Sequence, residues 1–136
     1  VCSRAVVDRY SNNVSLENVL ERIEIHDRPK PGGTLPIALD VASMWTRADP
    51  SVPTRGKMRA TFRTPSGAVA QGPFELEIDL SEAPRHRTRG HFASLNIEES
   101  GRYTFRVELQ QEDDAEWHEV AVVPLDVTFR EEQNAE

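Results

Sequence analysis

The chain has 136 residues, 38% of them hydrophobic and 29% charged, with 16 Lys and Arg against 23 Asp and Glu for a net charge of -7. That composition excludes a disordered chain, the charge argues against a general nucleic-acid binder, and the lack of any apolar run of about 18 residues argues against a membrane-spanning helix. A chain of this length is expected to form one domain with a core that needs no disulfide, and the only cysteine, Cys2, fits a reducing, cytoplasmic setting.

From the N-terminus, the first ambiguous stretch is "VSLENVLERIEI", residues 14–25. Leu16, Val19, Leu20 and Ile23 have the spacing of one helical face, with Ser15 placed as a cap. The same residues also read as a strand with a bulge near Glu17 and Asn18, which would carry the inward face from Val14 and Leu16 onto Val19, Ile23 and Ile25. The strand reading is preferred. A proline- and glycine-rich connection follows, "HDRPKPGGTLP". "TLPIALDVASMW" then alternates, with Leu35, Ile37, Leu39, Val41 and Trp45 on one face and Ala38, Asp40, Ala42 and Met44 on the other.

Residues 47–56 read as a loop, and "KMRATFRT" as a strand with Met58, Ala60 and Phe62 facing in. "TPSG" has the form of a β-turn. "FELEIDL" sets Phe74, Leu76, Ile78 and Leu80 against Glu75, Glu77 and Asp79. "HFASLNIEESGRYTFRVEL" is expected to carry two strands, the second with Tyr103, Phe105, Val107 and Leu109 on one face. "QQEDDAEW" reads as a charged hairpin tip, "EVAVVPLDVTF" as a last strand kinked near Pro124, and residues 131–136 as a frayed acidic tail after a single β-sandwich domain over 1–130. Short alternating segments with turn signals every 8–12 residues or so predict an all-β, antiparallel, two-sheet sandwich of about seven or eight strands.

"IEESGRYTF" adds detail. Ile97, Glu99, Gly101, Tyr103 and Phe105 resemble the tyrosine corner of immunoglobulin-like domains, in which the tyrosine hydroxyl bonds back to the backbone at the turn between two strands. Phe105 stands where secreted members place their second cysteine, and Trp45 is a candidate core tryptophan. The resemblance implies an immunoglobulin-like sandwich without a disulfide.

A second resemblance rests on Val14, Ser15, Leu16, Val19, Leu20, Glu21 and Ile23, with Gly101, Arg102 and Tyr103 downstream. These residues are similar to the pattern of an uncharacterised family of small bacterial immunoglobulin-like proteins, over about residues 1–129. Glu17 and Asn18 depart from it, where such proteins often have an apolar and a small residue. That family has no established activity, so the resemblance implies a fold and no reaction.

Chemistry-bearing motifs are sparse. His26, His86, His91 and His118 show no metal-ligand spacing, no nucleophile elbow or phosphate loop occurs, and no residue is assigned as catalytic, metal-binding or cofactor-binding. "EDDAE" concentrates carboxylates but lacks the glycine-punctuated spacing of a calcium loop, and reads as a solvated tip. "PRHRTRGH" departs from the acidic background. On an extended chain Arg85, Arg87, Arg89 and His91 project to one side, about 6.6–7 Å apart, with Thr88, Gly90 and Phe92 on the other. Such a row can protect a sheet edge, or hold an acidic partner or an anion.

The expected function is a non-enzymatic protein-binding or assembly module whose partner is another, acidic, protein. Residues 28–34, residues 47–56 and the arginine row are its candidate surfaces. Two alternatives stay open: a small-anion-binding protein or hydrolase with a site assembled across strands, and a structural subunit of a phage- or secretion-related assembly. The oligomeric state is not legible.

Overall fold

The computed structural model describes residues 1–26 and 34–130. The expected loop over 28–34, apart from Thr34, and the expected tail over 131–136 lie outside the described residues. Nine strands occur among those described: β1 (Cys2–Val7), β2 (Val14–Val19), β3 (Arg22–Ile25), β4 (Leu39–Thr46), β5 (Thr54–Arg63), β6 (Val69–Leu80), β7 (Arg85–Phe92), β8 (Gly101–Gln111) and β9 (His118–Phe129). They form a four-stranded sheet in the order β2-β1-β4-β7 and a five-stranded sheet in the order β3-β9-β8-β5-β6. Every ladder is antiparallel except β3 with β9, which run parallel from Arg22 opposite Asp126 to Ile25 opposite Phe129.

The strand count exceeds the expected seven or eight because "VSLENVLERIEI" makes two strands in two sheets. β2 lies at the edge of the four-stranded sheet and β3 at the edge of the other. Asn18 adopts a left-handed conformation (φ 52°) near the end of β2, and the chain crosses between the sheets at Leu20 and Glu21. The apolar spacing that mimicked a helix comes from this switch. Leu20, Ile23 and Ile25 pack against the core, whereas Leu16 and Val19 remain 51% and 60% exposed.

The two sheets face each other across one apolar cluster. Leu39, Val41 and Phe92 come from the four-stranded sheet, and Phe62, Tyr103, Phe105, Leu125 and Val127 from the five-stranded one. Phe62 stacks on Tyr103 at 5.1 Å and meets Phe105 at 4.7 Å, and Phe92 reaches across to Phe105 edge-on at 5.6 Å. Trp45 is not the central aromatic: it is half-buried beside a smaller cluster of Met58, Ala60, Ile78, Leu80 and Val107, with its indole N–H donating to Ser43 Oγ at 3.0 Å. The alternation in β5 and β6 placed the inward residues correctly, since Met58, Ala60, Phe62, Ile78 and Leu80 are all buried. The first of the two strands expected in "HFASLNIEESGRYTFRVEL" instead begins upstream, so the arginine stretch itself is β7. Pro124 sits within the β8–β9 ladder opposite Thr104, and the irregularity of that pair lies at Val107 and Glu108 instead.

At the start of β8, the Tyr103 hydroxyl donates to the Glu99 carbonyl at 2.9 Å and accepts from the Glu99 N–H at 3.3 Å. Tyr103, Phe105 and Ile97 are buried, and Gly101 supplies a φ of 136° that a residue with a Cβ rarely adopts.

Candidate functional site: the outer face of the four-stranded sheet

β4 and β7 pair residue for residue, with Asp40 opposite His91, Ala42 opposite Arg89, Met44 opposite Arg87 and Thr46 opposite Arg85. Directly opposed residues share a face, so the arginine row and these four β4 residues lie on the outward side of this sheet, where Asp40 alone of them is buried. Thr88, Gly90 and Phe92 are buried on the other side. Gly90 is required where β7 closes against β6, because a Cβ there would lie 2.5 Å from the Phe74 ring.

The β1–β2 hairpin joins this sheet by an unusual connection. Its only ladder pair with β4 is Cys2 opposite Asp40. The buried Asp40 carboxylate supplements it, accepting the Ala5 N–H at 2.9 Å through Oδ2 and bonding His91 Nδ1 at 2.7 Å through Oδ1. Burial pushes the Asp40 carboxyl upward, but the Ala5 N–H, the His91 ring and the Arg89 charge outweigh it and hold the group below its ordinary value. Arg89 Nη1 reaches the Ala5 carbonyl at 3.4 Å, and Arg87 Nη2 reaches Asn12 Oδ1 at 2.8 Å in the hairpin turn. Arg87 and Arg89 therefore also touch the hairpin.

Between the hairpin and the β4–β7 ladder lies a cleft of about 370 Å³. Ala5, Val7, Val14 and Leu16 line it from the hairpin, and Ala42 and Met44 from β4. Arg87 and Arg89 border the same space, with Ser43 and Thr88 beside them. Val7, Leu16 and Met44 are more than half exposed, at 54%, 51% and 57%. Among the described residues none of Arg85, Arg87 and Arg89 forms an ion pair; Arg87 donates to an amide oxygen and Arg89 to a backbone carbonyl.

His86, His118 and the loop over 47–56 have local structural partners. His86 Nδ1 accepts the Asp79 N–H at 2.9 Å, and His118 Nε2 bonds Asp114 at 2.7 Å across the acidic tip. Arg47, in the loop before β5, donates to the carbonyls of Leu80, Pro50 and Ser81, tying that loop to the end of β6. Among the described residues no group of three or more His, Cys, Asp or Glu could hold a metal ion, and no helix is long and apolar enough to cross a membrane.

Sequence reasoning found the arginine row but missed Asp40 and the cleft. Asp40 sat in the outward half of an alternating strand, where an acid is unremarkable. The cleft needs two apolar pairs, Ala5 with Leu16 and Val7 with Val14, that only the β1–β2 register creates. No family model matches the chain, and no curated protein sequence matches it.

Proposed function

We propose that this chain is an immunoglobulin-like, non-enzymatic binding module that engages an acidic partner protein through the outer face of its four-stranded sheet. The observation carrying the reading is the row Arg85, Arg87 and Arg89, without ion pairs among the described residues, on a chain of net charge -7. Unpaired guanidiniums on one face favour carboxylates of a partner, and such complementarity acts mainly on association rate and specificity. The exposed apolar residues beside the row add the contact surface that charge alone does not supply.

The immunoglobulin-like assignment is supported by strand order. β4 beside β7 corresponds to strands B and E, and β9-β8-β5-β6 to G, F, C and C′, with the tyrosine corner leading into the strand equivalent to F. The likeness to small bacterial immunoglobulin-like proteins of unknown activity belongs to the same reading, as does a cytoplasmic setting for a chain with one buried thiol.

A pull-down from lysate of the source cells tests it, run beside a variant carrying Arg85→Glu, Arg87→Glu and Arg89→Glu whose fold has been verified by circular dichroism. The expected result is a protein partner retained by the native chain, released by moderate salt, and absent from the variant. Capture of the same partner by both proteins would remove the arginine row from the reading and leave it as edge protection.

A further inference from the structure

We infer that the cleft between the β1–β2 hairpin and the β4–β7 ladder binds a long-chain carboxylate, its alkyl chain along the apolar walls and its anionic head at Arg87 and Arg89. This goes beyond the partner-protein reading and needs no protein partner. The cleft's volume, about 370 Å³, falls within the range of roughly 300–1,000 Å³ typical of small-molecule sites. Its walls are the aliphatic side chains of Ala5, Val7, Val14, Leu16, Ala42 and Met44, three of which are more than half exposed.

The direction of the nearby polar groups decides the ligand class. Ser43 Oγ and Thr88 Oγ1 bond each other, Ser43 also accepts the Trp45 indole N–H, and Thr88 donates to Met58 Sδ at 3.1 Å. Both hydroxyls lie on the inner face of the sheet, towards the buried Met58, so they offer nothing to a sugar or a nucleobase in the cleft, and an alkyl chain asks nothing of them. The charged groups at the same cleft are the two guanidiniums, bonded to neutral acceptors. Asp40, the acid beside Arg89, is already engaged by Ala5 and His91. A net charge of -7 disfavours a second copy of this chain as the occupant, while a single-chain carboxylate brings one negative charge to the basic border.

The test is a titration of the intact purified chain with dodecanoate below its micelle-forming concentration, followed by ¹H–¹⁵N amide spectra and calorimetry. Saturable shifts are expected at Ala5, Val7, Val14, Leu16, Ala42 and Met44. Affinity should fall roughly fourfold for each methylene removed, so that hexanoate binds far more weakly. The double variant Arg87→Gln, Arg89→Gln should lose at least about tenfold in affinity. Met44→Glu, at a position exposed enough to leave the fold intact, should abolish binding. Absence of a saturable response, shifts mapping elsewhere, equal binding of dodecyltrimethylammonium, or an unchanged affinity in the double variant would each overturn the inference.

Discussion

Arginine is used in opposite ways on the two outer faces of the sandwich. On the five-stranded sheet Arg59 makes a two-pronged contact with Glu108, at 2.9 and 3.0 Å, and lies over the Trp117 ring at 4.4 Å. Arg102 pairs with Asp126 at 2.9 Å, Arg106 with Glu119 at 3.7 Å and Arg55 with Asp79 at 3.6 Å. These are cross-strand partners, or close to it, so the charge pattern stitches neighbouring strands. On the four-stranded sheet Arg85, Arg87 and Arg89 stand opposite Thr46, Met44 and Ala42, none of which can neutralise them. One face has four of its arginines paired with carboxylates of its own strands. On the other, Arg85, Arg87 and Arg89 form no ion pair among the described residues and stand beside uncovered aliphatic groups, and a face of that kind is where an outside partner gains most.

The sharpest way to break the comparison is at Asp40, the buried group on which the open face depends. Asp40→Ala leaves the Ala5 N–H and the His91 ring without their partner, and should cost roughly 1–3 kcal/mol, read as a lower denaturation midpoint. Amide exchange should show the loss concentrated in β1 and β2, with β5 and β8 retaining their protection. Arg59→Ala comes next. It removes a part-buried bidentate ion pair together with a ring contact, and about 1–2 kcal/mol of stability should go with it. Arg87→Ala should change stability by no more than about 0.5 kcal/mol while weakening partner capture, so a larger stability loss would make the row structural. Arg102→Ala, at an exposed pair, should have the smallest effect of the set in the same denaturation assay.

Acid sharpens the contrast further. Because the folded-state value of Asp40 is depressed, its contribution is fully present above the ordinary carboxyl value of 3.8 and is lost as pH falls through that value towards the folded-state one. The native chain should therefore lose hairpin protection in that window more steeply than Asp40→Asn, in which this titration is gone. Equal slopes in amide exchange would show that Asp40 does not hold the hairpin.

The all-β character, the inward faces of β5, β6 and β8, and the hydrogen-bonded turn from Glu99 to Tyr103 could all be read from the sequence, because alternation and turn chemistry are local. Tyr103, Gly101 and Glu99 lie within five residues of one another, and their hydrogen bonds follow from that spacing. The fates of Leu16 and Ile23 could not be read the same way. Both are aliphatic and lie within one short stretch, yet one lines an open cleft and the other packs on the core, since the chain changes sheets between them. Asp40 was equally opaque: its role depends on Ala5, 35 positions earlier, and His91, 51 positions later. The arginine row was visible as a pattern, but whether it was neutralised depended on which strand lay alongside. Neighbouring strands rich in Glu would have made it another stitched face.

The strand directions also set how the molecule would answer a mechanical load. Tension on the N-terminus acts on β1 at Cys2, directly opposite Val19, where the chain leaves β2. Force there opens the hairpin as a zipper, one pair at a time. Once that slack is spent, the pull reaches Arg22 at the near end of β3 and Phe129 at the far end of β9. Since β3 and β9 run parallel, the load shears their four residue pairs together. A chain held at both ends should thus yield first at low force and then resist at a distinctly higher one, and the soft first stage is the same hairpin that walls the cleft.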